Sequence, residues 1–340
     1  MKLRKIKDMI KSMIVAKDGS GDVKTIQEAI SQVPEHNEDR VTITIKEGVY
    51  AEKLVINKPN LTLIGDGKVV ITYSDYAKKV VAGKEIGTFA SYSVLIAANG
   101  VIAKNIVFKN NAGSGDKMGQ AVAVYADGDK LEFHNCSFLG SQDTLFTAPL
   151  PPAPLKGGTF GGPRDEVEKK VGRQYYSRCY IEGDVDFIFG SATAVFENCI
   201  IHSLNRKRST NGYITAASTQ KEQRFGYIFF DCQLTSNADA NTVYLGRPWR
   251  NYAKTAFINC WMGQHIKAEG WHNWEKLEAK NTTEYVEFGS RGPGAKMDSR
   301  VKWAKILTDE EVKEYSLKNI FGVQDDWTTW ELVGFKVSGS

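Results

Sequence analysis

The chain has 340 residues, 42% of them hydrophobic, with 31 glycines against 9 prolines and a formal net charge of +4. That balance describes a turn-rich globular protein long enough to bury a large core, and it excludes a disordered or collagenous chain. The charge is mild and no Lys/Arg run is interleaved with aromatic residues, so nucleic acid is not a partner that the sequence supports.

In chain order, the opening "MKLRKIKDMIKSMIVAKDGSG" is basic, but its longest uninterrupted apolar stretch, Met13 to Ala16, is too short for a signal-peptide core, and no segment has the length of a membrane span. Residues 1–13 read as an extension, 14–335 as one domain and 336–340 as a tail. "KTIQEAISQV", from Lys24, puts Ile26, Ala29, Ile30 and Val33 on one helical face behind a Thr25/Glu28 capping box. "VTITIKEGVY" follows, with Val41, Ile43 and Ile45 alternating against Thr42 and Thr44 as a strand with one buried face. Residues 147–171, "TAPLPPAPLKGGTFGGPRDEVEKKV", break the pattern with prolines and two Gly-Gly pairs and read as a long functional loop. A second capping start, Thr308/Glu311, opens "TDEEVKEYSLKNIF" near the other end.

Between these caps a phrase recurs around each cysteine: "FHNCSF" at Cys136, "YSRCYI" at Cys179, "FENCII" at Cys199, "FFDCQL" at Cys232 and "FINCWM" at Cys260. "AKNIVFKN" and "NLTLIGDG" are cysteine-free relatives of it. The spacings of 43, 20, 33 and 28 residues are too irregular for a helical-repeat array and suit one supersecondary unit per coil with insertions. Short alternating segments broken by Gly, Asn and Asp make each coil strands and turns, which predicts an all-β chain forming a single parallel β-helix with short helical caps. The cysteines, none in a metal-binding spacing, are expected to form an interior column of small apolar side chains.

No G-x-S-x-G, H-E-x-x-H, Walker loop or dinucleotide fingerprint occurs, and the five histidines form no cluster. More informative are polar residues embedded in apolar strand-like segments: Gln120, Gln142, Asp143, Asp186 and Arg247. Each alone reads equally as a turn former or a buried hydrogen-bonded group. Together they can converge, because Asp143 and Asp186 each lie seven residues after a repeat cysteine and so occupy equivalent points of neighbouring coils. Two carboxylates in one partly apolar cleft beside a guanidinium cannot ionise equally easily, which supplies an acid and an anion at one pH. Asp184, two residues before Asp186, reads as a turn or support residue.

With these residues in view the chain resembles the pectin methylesterase (pectinesterase) family. The matching phrases run in order: "DGSGDVKTIQEAI", "GVYAE", "GTFASYS", "QAVAVYADGDK", "GSQDTLF", "RQYYSRCYIEGDVDFIFG", "YLGRPW" and "FGSRGPGA". The resemblance implies a right-handed β-helix, no metal or organic cofactor, and hydrolysis of galacturonate methyl esters in pectin or its oligomers by a monomer. It implies Asp186 as nucleophile, Asp143 as general acid and then base, Gln142 and Gln120 as oxyanion donors, and Arg247 as the group orienting Asp186. Thr88 and Trp249 become substrate contacts, with Trp271, Phe146, Tyr175 and Tyr176 as further aromatic candidates for a saccharide platform. A polymeric substrate implies work outside the cell although no signal peptide is visible. The competing readings are another β-helix activity on polygalacturonate, a relative acting on another ester or a thioester, and a non-catalytic polysaccharide-binding β-helix.

Overall fold

The computed structural model describes residues 11–322, Asp325 and Trp327. Residues 1–10 and the expected tail 336–340 lie outside the described residues. Two sheets of parallel strands, one of 16 and one of seven, wind together into a β-helix, and the pairing skips along the sequence because each strand bonds to its equivalent one coil away. One coil runs through Leu131–His134, Ser137–Leu139 and Leu145–Thr147. The next coil pairs with it at a constant offset, Leu131 with Gln174, Ser137 with Tyr180 and Leu145 with Ile188. The 147–171 loop is therefore an excursion between the end of one coil and the start of the next. It leaves the register unchanged.

The cysteine phrase has a local explanation. The residue before each cysteine (Asn135, Arg178, Asn198, Asp231 and Asn259) adopts a left-handed backbone with φ between 51° and 56°. Asn and Asp tolerate that region better than other non-glycine residues, so they turn the chain sharply between two strands of the long sheet. The cysteine that follows then faces inward. All five are free and buried, and their Sγ atoms lie 3.3–3.5 Å from carbonyl oxygens of the preceding coil, at Ala103, Phe133, Tyr176, Phe196 and Phe229. Beside them Phe133, Tyr176, Phe196, Phe229 and Phe257 stack with centroids 4.5–4.8 Å apart, matching the spacing of about 4.8 Å between paired strands.

The coil starts at Ser12, where Ser12–Val15 pairs with Val41–Ala51, so the last residues assigned to the extension belong to the sheet. The first cap is the helix Ile26–Gln32, with Thr25 Oγ1 accepting from Glu28 N. Glu52, just past the end of the strand Val41–Ala51, accepts from the N–H groups of Ile26 and Gln27 and completes the cap. At the other end Thr308 and Glu311 form a reciprocal box, but it opens only a single turn, Glu311–Glu314, before the short helix Leu317–Phe321. Among the described residues no helix is long and apolar enough to cross a membrane.

Candidate active site

Asp143 and Asp186 stand on adjacent coils at the edge of the seven-stranded sheet, where the offset that pairs Leu145 with Ile188 also aligns the two aspartates. Asp143 N donates to Val185 O at 3.0 Å. Asp186 falls in the irregular stretch between Val185 and Ile188, where pairing to Gly212–Ala217 shifts register. Both aspartates have left-handed backbones, φ 63° and 50°, a conformation that costs roughly 1–3 kcal/mol and persists only where surrounding structure enforces it. Phe187 supplies that enforcement by burying its ring completely inside the coil. Gly183 must lack a side chain because a Cβ there would lie 2.2 Å from the Cβ of Phe187.

The two carboxylates are both buried, at 8% and 6% exposure, but only one has a cation bonded to it. Arg247 donates through Nε to Asp186 Oδ1 at 2.8 Å and through Nη2 to Oδ2 at 2.6 Å, the bidentate geometry that makes such pairs strong. Its guanidinium is sandwiched between Tyr213, 3.9 Å from the ring centroid, and Trp274, 3.7 Å away. Burial pushes the Asp186 carboxyl above its ordinary value, and the guanidinium opposes that push. Burial and the neighbouring Asp186 push Asp143 much further up, with Arg247 acting only at a distance. The pair therefore titrates in two steps, with Asp186 losing its proton first and Asp143 holding one. Burial, with Arg250 and Arg247 nearby, lowers the Lys276 ammonium to about 8, and its Nζ donates to the carbonyls of Pro248 and Trp249 at 2.6 and 3.1 Å.

Above the carboxylates is a cavity of about 360 Å³. Gln120, Gln142, Asp143, Asp186 and Arg247 all line it, beside Thr88 and the rings of Phe89, Phe160, Trp249 and Trp274, the last of these stacked on Arg247. Gln142 is held from behind by Gly115, where a Cβ would stand 2.7 Å from the Cβ of Gln142. A larger cavity, about 730 Å³, lies between the 147–171 loop and the turns at 97–99 and 127–129, but it contains none of these residues and no aromatic ring. Among the described residues no His, Cys, Asp and Glu group is arranged to hold a metal ion.

Four of the expected aromatic contacts need correction. Phe146 is wholly buried beneath the cavity, its ring 5.0 Å from Phe89 and 6.3 Å from Trp249, and so supports the platform instead of forming it. Trp271 lies inside the coil, stacked on Tyr285 at 4.1 Å, because its backbone continues the seven-stranded sheet beside Gly246 and turns the ring inward. Tyr175 is on the outer face of the long sheet, where its hydroxyl bonds to Glu197 and its ring meets Phe321. Tyr176, its neighbour, belongs to the interior aromatic column. Strand alternation sends such neighbours to opposite faces, and neither face here is the cleft. Asp184 is buried, accepts from Val185 N at 2.7 Å and lies 4.0 Å from Arg206, which is a supporting arrangement.

Phe89, Phe160 and Trp274 were not among the candidates. Phe89 lay within the motif "GTFASYS", and Phe160 between the two Gly-Gly pairs of the loop. Those glycines let the loop fold onto the cleft: Gly162, at φ 91°, leaves no room for a Cβ, which would stand 2.8 Å from Phe89. Asp165 accepts from the N–H groups of Phe160 and Gly161, and Arg164 pairs with Asp127 at 2.5 Å. Phe160 then meets Phe89 edge to face at 5.6 Å.

Comparison with known proteins places this chain in a family. The pectinesterase family model matches residues 12–150 and 157–324, interrupted within the loop. The chain is 36% identical over 325 residues to pectinesterase QRT1 of Arabidopsis thaliana, covering 93% of this chain and 78% of that one. It is 35% identical over 311 residues to pectinesterase 31 of the same plant, covering 88% and 89%. Among solved structures, pectin methylesterase from carrot superposes with a TM-score of 0.77 at 30% identity, covering 91% of this chain and 92% of that one. A pectin methylesterase in complex with a hexasaccharide superposes with a TM-score of 0.75 at 30% identity, covering 93% and 97%.

Proposed function

Because this chain belongs to the pectinesterase family, whose members hydrolyse the methyl esters of pectin, we propose that it performs that reaction through Asp186 as nucleophile and Asp143 as general acid and base. The observation that carries the assignment is the asymmetry of the pair: two buried carboxylates at equivalent points of adjacent coils, one bonded bidentately to Arg247 and the other without such a partner.

Asp186, kept anionic and correctly turned by Arg247, attacks the ester carbonyl carbon through one carboxylate oxygen. The carbonyl electrons move to oxygen, and the side-chain amides of Gln142 and Gln120 donate to the oxyanion, each donor contributing about 3 kcal/mol to the transition state. Collapse breaks the bond to the methoxy oxygen, which takes the proton of Asp143 and leaves as methanol. What remains is an acyl-enzyme anhydride between Asp186 and the galacturonate carbonyl. Asp143, now anionic, removes a proton from water as the water oxygen attacks the anhydride carbonyl. Cleavage frees galacturonic acid, which loses its proton to solvent, and restores Asp186 as the carboxylate and Asp143 in its protonated form. The chemistry needs a protonated Asp143 beside an ionised Asp186, the order that their surroundings impose.

Phe89, Phe160, Trp249 and Trp274 would pack on the apolar faces of the sugar and the ester methyl, with Thr88 contacting the saccharide. The substrate is methyl-esterified homogalacturonan or its oligomers, met outside the cell by a single chain. The deciding experiment is methanol release from methylated pectin by the wild type and by Asp186→Asn, with circular dichroism to establish that the variant is folded. Near-normal turnover in the folded variant would overturn the assignment.

A further inference from the structure

The turn that carries Trp274 onto Arg247 is built against local preference. Trp274 and Glu275 are consecutive and both left-handed, at φ 53° and 58°, and Lys276 N closes the turn by donating to Asn273 O at 3.0 Å. Two positive φ values inside a four-residue turn suit Asn-Gly, and for a side chain as bulky as tryptophan they are a strained exception. Each costs roughly 1–3 kcal/mol and persists only where neighbouring structure imposes it. His272 Nδ1, accepting from Trp274 N at 3.0 Å, fixes the entry to the turn.

Lys276 fixes the exit. Its half-buried side chain donates through Nζ to Pro248 O at 2.6 Å and Trp249 O at 3.1 Å, carbonyls that accept from no backbone N–H among the described residues. Arg250 Nη1 shares the Trp249 carbonyl at 3.0 Å, and its Nη2 reaches Ala153 O in the long loop at 2.8 Å. Lys276 Nζ also lies 4.5 Å from the centroid of the Trp274 ring, which in turn lies 3.7 Å from the guanidinium carbon of Arg247. One ammonium therefore joins the segment bearing Arg247 and Trp249 to the ring that covers Arg247. Lys276 does this from behind, since it does not line the catalytic cavity.

We propose that Lys276 is a positioning residue for the esterase reaction: by tying the Trp274 turn to the Pro248 and Trp249 carbonyls, it keeps Arg247 clamped between Tyr213 and Trp274 and in bidentate register with Asp186. The proposal rests on the reading of Asp186 as the nucleophile. Without the two carbonyl bonds the strained turn can relax, Trp274 leaves Arg247, and the guanidinium gains freedom to rotate away from the carboxylate. The ammonium also acts through its charge, because its field adds to that of Arg247 in favouring the ionised Asp186. Around Lys276 itself, burial and the facing cations Arg250 and Arg247 disfavour the charge while Asp186 favours it, and the ammonium loses its proton at about 8. Above that pH the neutral amine still has two N–H groups for the two carbonyls. The clasp thus holds on both sides of the transition, and the charge matters on the acid side, where Asp186 takes up its proton.

Methanol release from methylated pectin is measured against pH for the wild type, Lys276→Met, Lys276→Arg and the double variant Glu275→Gly/Lys276→Met, with Tm for each. Lys276→Met keeps the apolar stem and removes donors and charge. Its kcat is expected to fall about tenfold, and the acid limb of kcat/KM to move up by about half a pH unit, with the alkaline limb unmoved. Lys276→Arg, which keeps the charge, should leave the acid limb at its wild-type position. In the double variant glycine accepts φ 58° without strain, so most of the lost kcat should return while the acid limb stays displaced. That variant is read in place of Lys276→Met if the single substitution does not fold. A wild-type acid limb in the folded methionine variants, whatever the change in Tm, makes the lysine merely structural and overturns the proposal, as does an equal displacement in Lys276→Arg. A kcat that does not recover in the double variant overturns the route through the turn. Absence of methanol release by the wild type would instead overturn the catalytic reading, and the role of Lys276 with it.

Discussion

The inside of the coil and the face that carries the cleft are built by the same rule and put to opposite uses. In both, a residue stacks on its equivalent one coil away. Inside, the rule sets ring on ring from Phe133 to Phe257 and sulfur beside sulfur from Cys136 to Cys260, all apolar and fully buried. On the cleft face it sets carboxylate beside carboxylate, in left-handed backbones and away from water. The first arrangement stabilises the fold; the second costs stability, and the rigid interior is what keeps it in place.

The sharpest way to break that comparison is to remove the charge that the cleft conserves. On the proposed mechanism Asp186→Asn should lower methanol release by at least about 10³-fold, since removing the nucleophile leaves only the contributions of binding and oxyanion stabilisation. Asp143→Asn should cost about 10²–10⁴-fold through loss of general acid and base catalysis. This second variant also tests the stability side. The folded-state pKa of Asp143 is raised above its unfolded value, so its stabilising contribution is complete below the unfolded value and is lost as pH rises through the folded one. Above that point the buried charge opposes folding, and Asn, which never ionises, should raise Tm relative to wild type at neutral pH. The same order gives kcat a bell-shaped pH profile, with an acid limb as Asp186 becomes protonated and an alkaline limb as Asp143 ionises. In Asp143→Asn the alkaline limb should disappear from whatever turnover remains.

Interior substitutions should show the reverse signature. Phe196→Ala removes a ring from the middle of the stack and should cost about 3–5 kcal/mol in denaturant unfolding, while kcat of the folded protein stays near wild type. Trp249→Ala, at the apolar wall, should raise KM for pectin about tenfold with a smaller change in kcat, given the ~1–3 kcal/mol typical of a buried aromatic contact. The smallest effect is reserved for Asp184→Asn. Its carboxylate supports the backbone at Val185 without reaching the cavity, so methanol release should stay within about twofold of wild type, against the near-complete loss in Asp186→Asn two residues away.

Much of the site was legible because a β-helix turns sequence interval into spatial proximity. The equal offsets of Asp143 and Asp186 from Cys136 and Cys179 became an actual strand register, and the loop between them did not disturb it. Gln120, Gln142, Arg247, Thr88 and Trp249 all line the cavity. The aromatic candidates divided differently. Tyr175, Phe146 and Trp271 have the right chemistry for a sugar platform, but a ring's side of the wall depends on its place in the strand alternation and on what covers each face.

The sequence by itself determined the coil, its corner residues and the identity of the charged groups, because backbone preference and hydrophobic alternation are local properties that repeat in every turn. Only the tertiary structure decided which aspartate is paired with the guanidinium and which rings line the cavity. The first depends on Arg247, 61 residues from Asp186, reaching it in a bidentate pair. The second depends on the 147–171 loop folding back so that Phe160 meets Phe89, a contact for which nothing in the repeat prepares the chain. Both are decided by low-dielectric contacts between segments distant in sequence, where the cost of an unpaired charge or an exposed ring depends on its neighbours more than on its own identity.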